Sequence, residues 1–297
     1  MTTAKSPKAI ALVAYATAKR TFRPYRRKKS PKKFSQPQLV ACLVLKEFFK
    51  TDYRGIVAIL EDSSDLRQAL ELTVVPHYTT LQKASQRLSR KPAIDRLMKE
   101  MADIAIHTKL MKRRVRLAAL DSTGFESHYV SAYFVRRKAK GGATEQQTTY
   151  KRVPKLGILA DTSNHFVLSG VPSYGPSPDV LHWQQAIDSA LARAAIKTLV
   201  ADAGYDGEPS HVFARGRGIR AIIPPLIGRK TKKLPNGKWR KIMATRFNKK
   251  LYGQRWQVET VNSILKRRLG SFLRARTYWS QLREMLLRLF TYDVMVV

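Results

Sequence analysis

Acidic residues are scarce: 21 Asp and Glu stand against 56 Lys and Arg, a formal charge of +35 at pH 7 and a pI near 10.6. Such a one-signed surface selects a polyanion as partner. Nucleic-acid phosphate is the commonest one, bound with an affinity that falls steeply with salt. Cysteine is almost missing. The single Cys42, in the apolar run Leu39 to Leu45, excludes an internal disulfide and a thiolate zinc site and reads as core. No run of about 18 apolar residues and no signal-peptide core appears, which sets the membrane aside as the polyanion and leaves a cytoplasmic protein as the expectation. Neither a glycine-rich phosphate loop nor a serine-centred nucleophile motif is present, and His77, His107, His128, His165, His182 and His211 show no paired ligand spacing.

What the sequence does have is globular usage, 44% hydrophobic and 9% aromatic, on a chain long enough for one large domain and a smaller companion. Residues 1–35 read as a basic arm with a short helix after Ser6-Pro7, followed by nine Lys and Arg and no acid between Lys19 and Lys33. Residues 36–110 are predicted helical throughout, with apolar residues at helical spacing and Ser63-Ser64 as a cap. Within them, Thr79-Thr80 opens a basic helix, Leu81 to Leu88. It reads either as a recognition helix for a DNA major groove or as a surface helix packing through Leu81, Ala84 and Leu88.

The period changes at Arg114. Val115–Leu120 is a buried-strand pattern, Tyr129–Val135 alternates as a second strand, and a Gly, Thr and Gln-rich loop covers Lys138–Thr149. Lys155–Ala160 and Phe166–Val171 form a hairpin around Asp161-Thr162-Ser163-Asn164. Helix is expected over Val180–Ala195, strand over Ile196–Ala201 and Ile219–Pro224, and helix over Phe247–Leu269. Residues 226–250, with ten Lys and Arg and no acid, are expected as a basic hairpin or flexible loop. The order predicts an α/β layer with a mixed sheet over 111–297.

Because acids are few, their positions carry information. Asp121 and Asp202 each follow a six-residue apolar run, which predicts that both stand at C-terminal strand ends, where open α/β sheets place ligand sites. Hydrolysis of a phosphodiester needs charge neutralisation at both the attacking and the leaving oxygen, and hard divalent cations on carboxylate oxygens supply it. A third carboxylate fits on the last helix. At 100° per residue from Tyr252, Arg255, Glu259 and Lys266 fall within an arc of about 60°, while Val258, Val261, Ile264, Leu265 and Leu269 form the opposite face. Each acid also has a plainer reading: Asp121-Ser122-Thr123-Gly124 as a turn cap, Asp206 as the ligand in place of Asp202, and Glu259 as an i,i+4 ion pair with Arg255. Trp256, beside the stripe, reads either as a base-stacking platform or as half-buried packing.

Tyr252-x2-Arg255-x3-Glu259-x6-Lys266 resembles the Tyr-Arg-Glu-Lys signature of DDE insertion-sequence transposases, and Asp121-Ser-Thr-Gly and Ala201-Asp202-Ala-Gly-Tyr-Asp-Gly resemble that family's two acidic blocks. The resemblance spans about residues 114–270, and the helical segment with Thr79-Thr80 is similar to the family's N-terminal DNA-binding region. It implies a ribonuclease-H-like core and two divalent cations, Mg2+ or Mn2+, on Asp121, Asp202 and Glu259. It further implies phosphate contacts from Tyr252, Arg255 and Lys266, and hydrolysis at transposon ends with transfer of the 3′ hydroxyl to target DNA. The partners implied are terminal inverted repeats, target DNA and a second copy of the chain in a homodimer on DNA, and the place is the bacterial nucleoid. Only 57 residues separate Asp202 from Glu259, so the chain resembles the compact branch that lacks a large β-rich insertion. Two further readings are a catalytically silent, domesticated transposase that only binds DNA, and a structural RNA-binding protein. The latter explains the charge but not the placement of three acids.

Overall fold

The computed structural model describes residues 3–29, 31–138, 145–226 and 233–297. Helices come first, and their ends follow local chemistry. Ser6 accepts the Ala9 amide at 3.3 Å to open α1 (Pro7–Thr21), where Pro7 fills a position that needs no amide donor. Ser35 and Gln38 cap each other's backbone at the start of α2 (Gln36–Phe48). Asp52 caps α3 (Tyr53–Asp62), Ser63 precedes α4 (Ser64–Ala69) without a side-chain bond, and His77 caps α5 (Tyr78–Leu88). The run closes with α6 (Lys91–His107). The N-terminal segment is more than an arm, since Ile10, Ala11, Ala14 and Ala18 of α1 are buried and the helix packs on α2. Residue 30 of the cationic run lies outside the described residues.

The sheet is centred on β1 (Arg114–Gly124). On one side lie β4 (Pro154–Asp161) and β5 (Val167–Tyr174), antiparallel; on the other lie β6 (Ala195–Ala201) and β7 (Arg220–Ile222), parallel. The order β5-β4-β1-β6-β7, an antiparallel meander followed by two parallel crossover strands, is ribonuclease-H-like. The crossovers are α7 (Trp183–Leu191), entered through a 3-10 turn at Asp179–His182, and α8 (Glu208–Gly216). The expected turn at the β4–β5 hairpin forms around Asp161, whose carboxylate accepts the Ser163 amide at 2.9 Å.

Three expectations change. The strand expected at Tyr129–Val135 begins at Ala132; β2 (Ala132–Lys138) pairs with β3 (Glu145–Lys151) in a separate two-stranded sheet, so part of the expected Gly- and Thr-rich loop is strand while 139–144 lie outside the described residues. Within 226–250, residues 227–232 lie outside them too, and the remainder is not a hairpin: it forms α9 (Lys238–Thr245), because Glu208 accepts the amides of Trp239 and Arg240 and supplies the anionic cap that this all-basic stretch lacks. The helix expected over 247–269 is wound as α10 (Lys249–Tyr252), a 3-10 turn at Gly253–Arg255 and α11 (Trp256–Leu269). Asn248 accepting the Leu251 amide starts it later than the apolar pattern suggests.

The last helix, α12 (Tyr278–Val296), was not marked by any motif, yet it is buried from Glu284 to Val296. It packs on α6 and α2 on one side and β5 on the other, joining the helical layer to the sheet in one core. Its polar residues are matched from both layers. Arg288 donates to Glu47 of α2 at 3.1 Å, to Glu284, and to the carbonyls of Gly270 and Phe272. No helix among the described residues is long and apolar enough to cross a membrane.

Candidate active site

Parallel pairing of β1 with β6 sets Leu120 beside Ala201 and goes no further. The next residue of each chain, Asp121 and Asp202, therefore leaves side by side at the carboxyl edge, about one strand spacing of 4.8 Å apart. Asp202 stands beyond its strand as expected, but Asp121 does not end its own: the antiparallel ladder continues to Gly124, with Asp121 opposite Ile158. One side of β1 is released while the other stays paired. That keeps Asp121 on rigid backbone next to an open edge.

Two residues of the last helical run reach Asp121. Asn262 Nδ2 donates to Oδ2 at 3.1 Å, and Arg255 Nη1 lies 3.8 Å from Oδ1 while its Nη2 bonds Glu259. Arg255 thus stands between two of the three acids, which it holds in charge balance. Burial pushes the Asp121 carboxyl above the usual range, and the charges of Asp202 and Glu259 push the same way, against the Ser122 amide and Arg255. Asp202 Oδ1 accepts the Gly204 amide at 2.9 Å, so the tight turn after β6 fixes it.

The rival carboxylate, Asp206, is engaged elsewhere. It is buried and accepts from Arg240 Nη2 at 2.6 Å, from Arg240 Nε and from the Leu226 amide, which straps the β6 loop to α9. Lys266 lies further along α11 with Nζ 5.8 Å from the Phe125 ring centroid, past the end of β1. Tyr252 packs on Phe247, ring centroids 5.0 Å apart, and the 3-10 turn at Gly253–Arg255 keeps it in line with Arg255, three residues on, whose charge it influences. Trp256 is 53% exposed, which favours an open platform over packing.

Sequence reasoning passed over two contributors. Asn262 was detectable, since on the same wheel it lies near 280°, at the inner border of the polar stripe. Its Oδ1 is buried and has no partner. The second is a chain of polar contacts under the edge: Ser122 Oγ donates to Asp179 at 2.9 Å and lies 3.2 Å from the Tyr205 hydroxyl, and Lys155 pairs with Asp179 at 2.5 Å. No local pattern announces it, because its members are brought together from four separate segments.

Asp121, Asp202, Glu259 and the orphaned Asn262 oxygen are all hard oxygen donors, the chemistry a magnesium or manganese ion takes. In this conformation, with Arg255 among them, no three acidic, histidine or cysteine side chains of the described residues close around a single point.

The family model described as "Transposase DDE domain" matches residues 113–294. No curated protein matches the chain. Among solved structures it is similar to the piggyBac transposase synaptic complex with hairpin DNA, at 8% identity and a TM-score of 0.45, over 97% of this chain and 72% of that one. It is also similar to the Mos1 transposase paired-end complex with left transposon end, at 12% identity and a TM-score of 0.23, over 67% of this chain and 61% of that one. A Mos1 mariner paired-end complex with Mn is similar at 12% identity and a TM-score of 0.22, over 92% of this chain and 81% of that one.

Proposed function

Since the chain belongs to the DDE transposase family, we propose that it cuts DNA at the terminal inverted repeats of a mobile element and joins the freed 3′ hydroxyl to target DNA. The observation that carries this reading is the meeting of Asp121 and Glu259 on Arg255, beside Asp202, at the one sheet edge where β1 and β6 part. Asp121, Asp202 and Glu259 would hold two divalent cations, Mg2+ or Mn2+. When bound, these supply charge neutralisation at the attacking and leaving oxygens of the phosphodiester.

The chain's own groups do the rest. Asn262 binds Asp121 through Oδ2 and leaves Oδ1, which Arg255 approaches at 3.8 Å, for a cation. Arg255 presents a planar fork suited to a phosphate, and exchanging its two carboxylates for phosphate oxygens would free them as the DNA arrives. Lys266 and Tyr252 would add a point charge and a phenol donor along the same backbone. The net charge of +35 supports attraction to DNA, and a protein so charged would gather on the nucleoid. A homodimer on DNA, each copy holding one end, fits the need to cut two ends.

The test is Glu259→Gln assayed on DNA carrying the repeats that flank the gene. Metal-dependent cutting should be lost while DNA binding is kept. Cutting at the wild-type rate would sink the assignment, and a wild type that binds but never cuts with Mg2+ or Mn2+ would point to the silent, DNA-binding reading.

A further inference from the structure

Between the helical layer and the N-terminal end of α12 lies a groove of about 1120 Å3. Its charge is one-sided. Three acids line it, and each is already engaged: Glu47 by Lys46 and Arg288, Glu284 by Arg288 and the amides of Arg274 and Ala275, and Asp52 by the Gly55 amide that it caps. Arg90, Arg274, Arg276 and Arg283 line the same groove, and among the described residues none of the four has a carboxylate within ion-pair distance. Arg283 is held below the ordinary arginine range by burial first and by the charge of Arg90 second. Arg90, from the α5–α6 loop with Nε on the Gln86 carbonyl at 3.0 Å, and Arg283 of α12, with Nη2 on Ser280 Oγ at 2.9 Å, line one groove without a counter-charge and together suit a phosphate.

The rim is aromatic. Trp279 is 67% exposed, while its neighbour Tyr278 is fixed by stacking on Tyr174 with ring centroids 4.6 Å apart. An open indole on a groove whose arginines lack carboxylate partners is the composition of a platform for unpaired nucleotides, where a base stacks and the backbone runs along the cations. Gln82 and Gln86, one turn apart on the exposed face of α5, line the opposite wall. Ser85, between them, lines the same wall. A volume just above the ~300–1,000 Å3 usual for small-ligand pockets suits a few nucleotides of one strand and not a duplex.

One chain segment leads from beside the catalytic edge to the wall of the groove. Glu126, five residues beyond Asp121, bridges Phe272, and two residues later the same segment enters the groove at Arg274. We propose that this groove receives an unpaired length of DNA strand leaving the carboxylates, with Arg90 and Arg283 closing on one phosphate and Trp279 stacking on a base. The inference rests on the DNA-cutting reading above.

It is tested with the full chain in EDTA, so that binding is read without catalysis, using a labelled oligothymidylate of about 12 nucleotides and a duplex of equal length. Arg90→Ala with Arg283→Ala should weaken single-strand binding tenfold or more and reduce the slope of log affinity against log salt by about 1.4, the value for two lost phosphate contacts. Lys197→Ala with Arg220→Ala, the same charge removed at the far end of the sheet, should do much less. Trp279→Ala should cost about 5- to 150-fold and reduce the quenching of indole fluorescence by the strand, with Trp279→Phe restoring affinity. The inference is overturned if the arginine variant behaves like its control pair, if Trp279→Ala binds as wild type, or if a polyglutamate peptide competes as well as the strand. Loss of cutting in Glu259→Gln alongside unaltered strand binding by the groove variants would remove the groove and leave the catalytic reading standing. Persistent cutting in Glu259→Gln alongside weakened strand binding by the groove variants would do the reverse.

Discussion

Asn262 donates from Nδ2 to Asp121 Oδ2 at 3.1 Å, across 141 residues of chain. It lies three positions after Glu259, so one turn of α11 both contributes a carboxylate and steers another. A side chain that orients a metal-binding carboxylate acts through the position of that carboxylate, and losing such a partner typically costs 10- to 100-fold in metal affinity or activity. Asn262→Ala should therefore raise the Mg2+ concentration for half-maximal cutting by about that factor, with the far-ultraviolet circular dichroism and DNA affinity of the wild type. An unmoved Mg2+ curve would show that Asp121 needs no steering.

Asp202 and Asp206 should separate cleanly. Asp202→Asn touches only its own turn and should abolish cutting with little change in melting temperature. Asp206→Asn breaks a buried pair with Arg240, and the loss of one partner of such a pair costs about 3–5 kcal/mol at full burial. Because Arg240 is partly exposed, the lower end is expected, as a drop in melting temperature of several degrees. If Asp206→Asn melted like wild type and still could not cut, the ligand assignment would move to Asp206.

Gly170 of β5 lies under α12, where an added Cβ would overlap Leu289 Cδ2 in the core. Gly170→Ala should destabilise the chain by about 1–3 kcal/mol, the usual cost of overpacking. Combining it with Leu289→Ala should give a smaller loss than the two single changes added together. Strict additivity in a denaturant titration would mean that the two sites do not touch.

Asp293 is fully buried on α12, accepting the Val167 amide at 2.9 Å, and burial raises its carboxyl well above the usual range despite that bond and the charge of Arg193. A folded-state value above the unfolded one stabilises the fold below the unfolded value near 3.8, and the contribution is lost as pH rises through the folded value. Over that interval the melting temperature of the wild type should fall relative to Asp293→Asn. Parallel curves for the two proteins would show that the carboxyl does not titrate with folding.

Much of this molecule is written locally. The runs before Asp121 and Asp202 specify strands because β-branched and leucine side chains suit a sheet buried on both faces, and the sheet forms there. Ser6, Ser35 and Asp52 mark helix starts because their oxygens satisfy amides within three residues. The pairing of Arg255 with Glu259 follows from helix pitch alone. The resemblance of Tyr252, Arg255, Glu259 and Lys266, with the Asp121 and Asp202 blocks, to the transposase signature was legible in the sequence, and the family model bears the family out.

Other features needed the fold. Periodicity has no means of saying that Arg255 also turns to Asp121, that Asp206 is spent on Arg240, or that α12 closes the core between two layers. Each is a contact between segments far apart in sequence, selected by how whole elements pack and by which polar groups must find partners once water is excluded. The groove shows the same division. Its arginines, Trp279 and the glutamines of α5 are unremarkable in sequence, and only the packing of α12 against α2 and α6 brings them to face one another. Local propensity thus determined which elements exist and which acids stand ready; long-range packing decided which of those acids share an arginine and where a strand of DNA could go next.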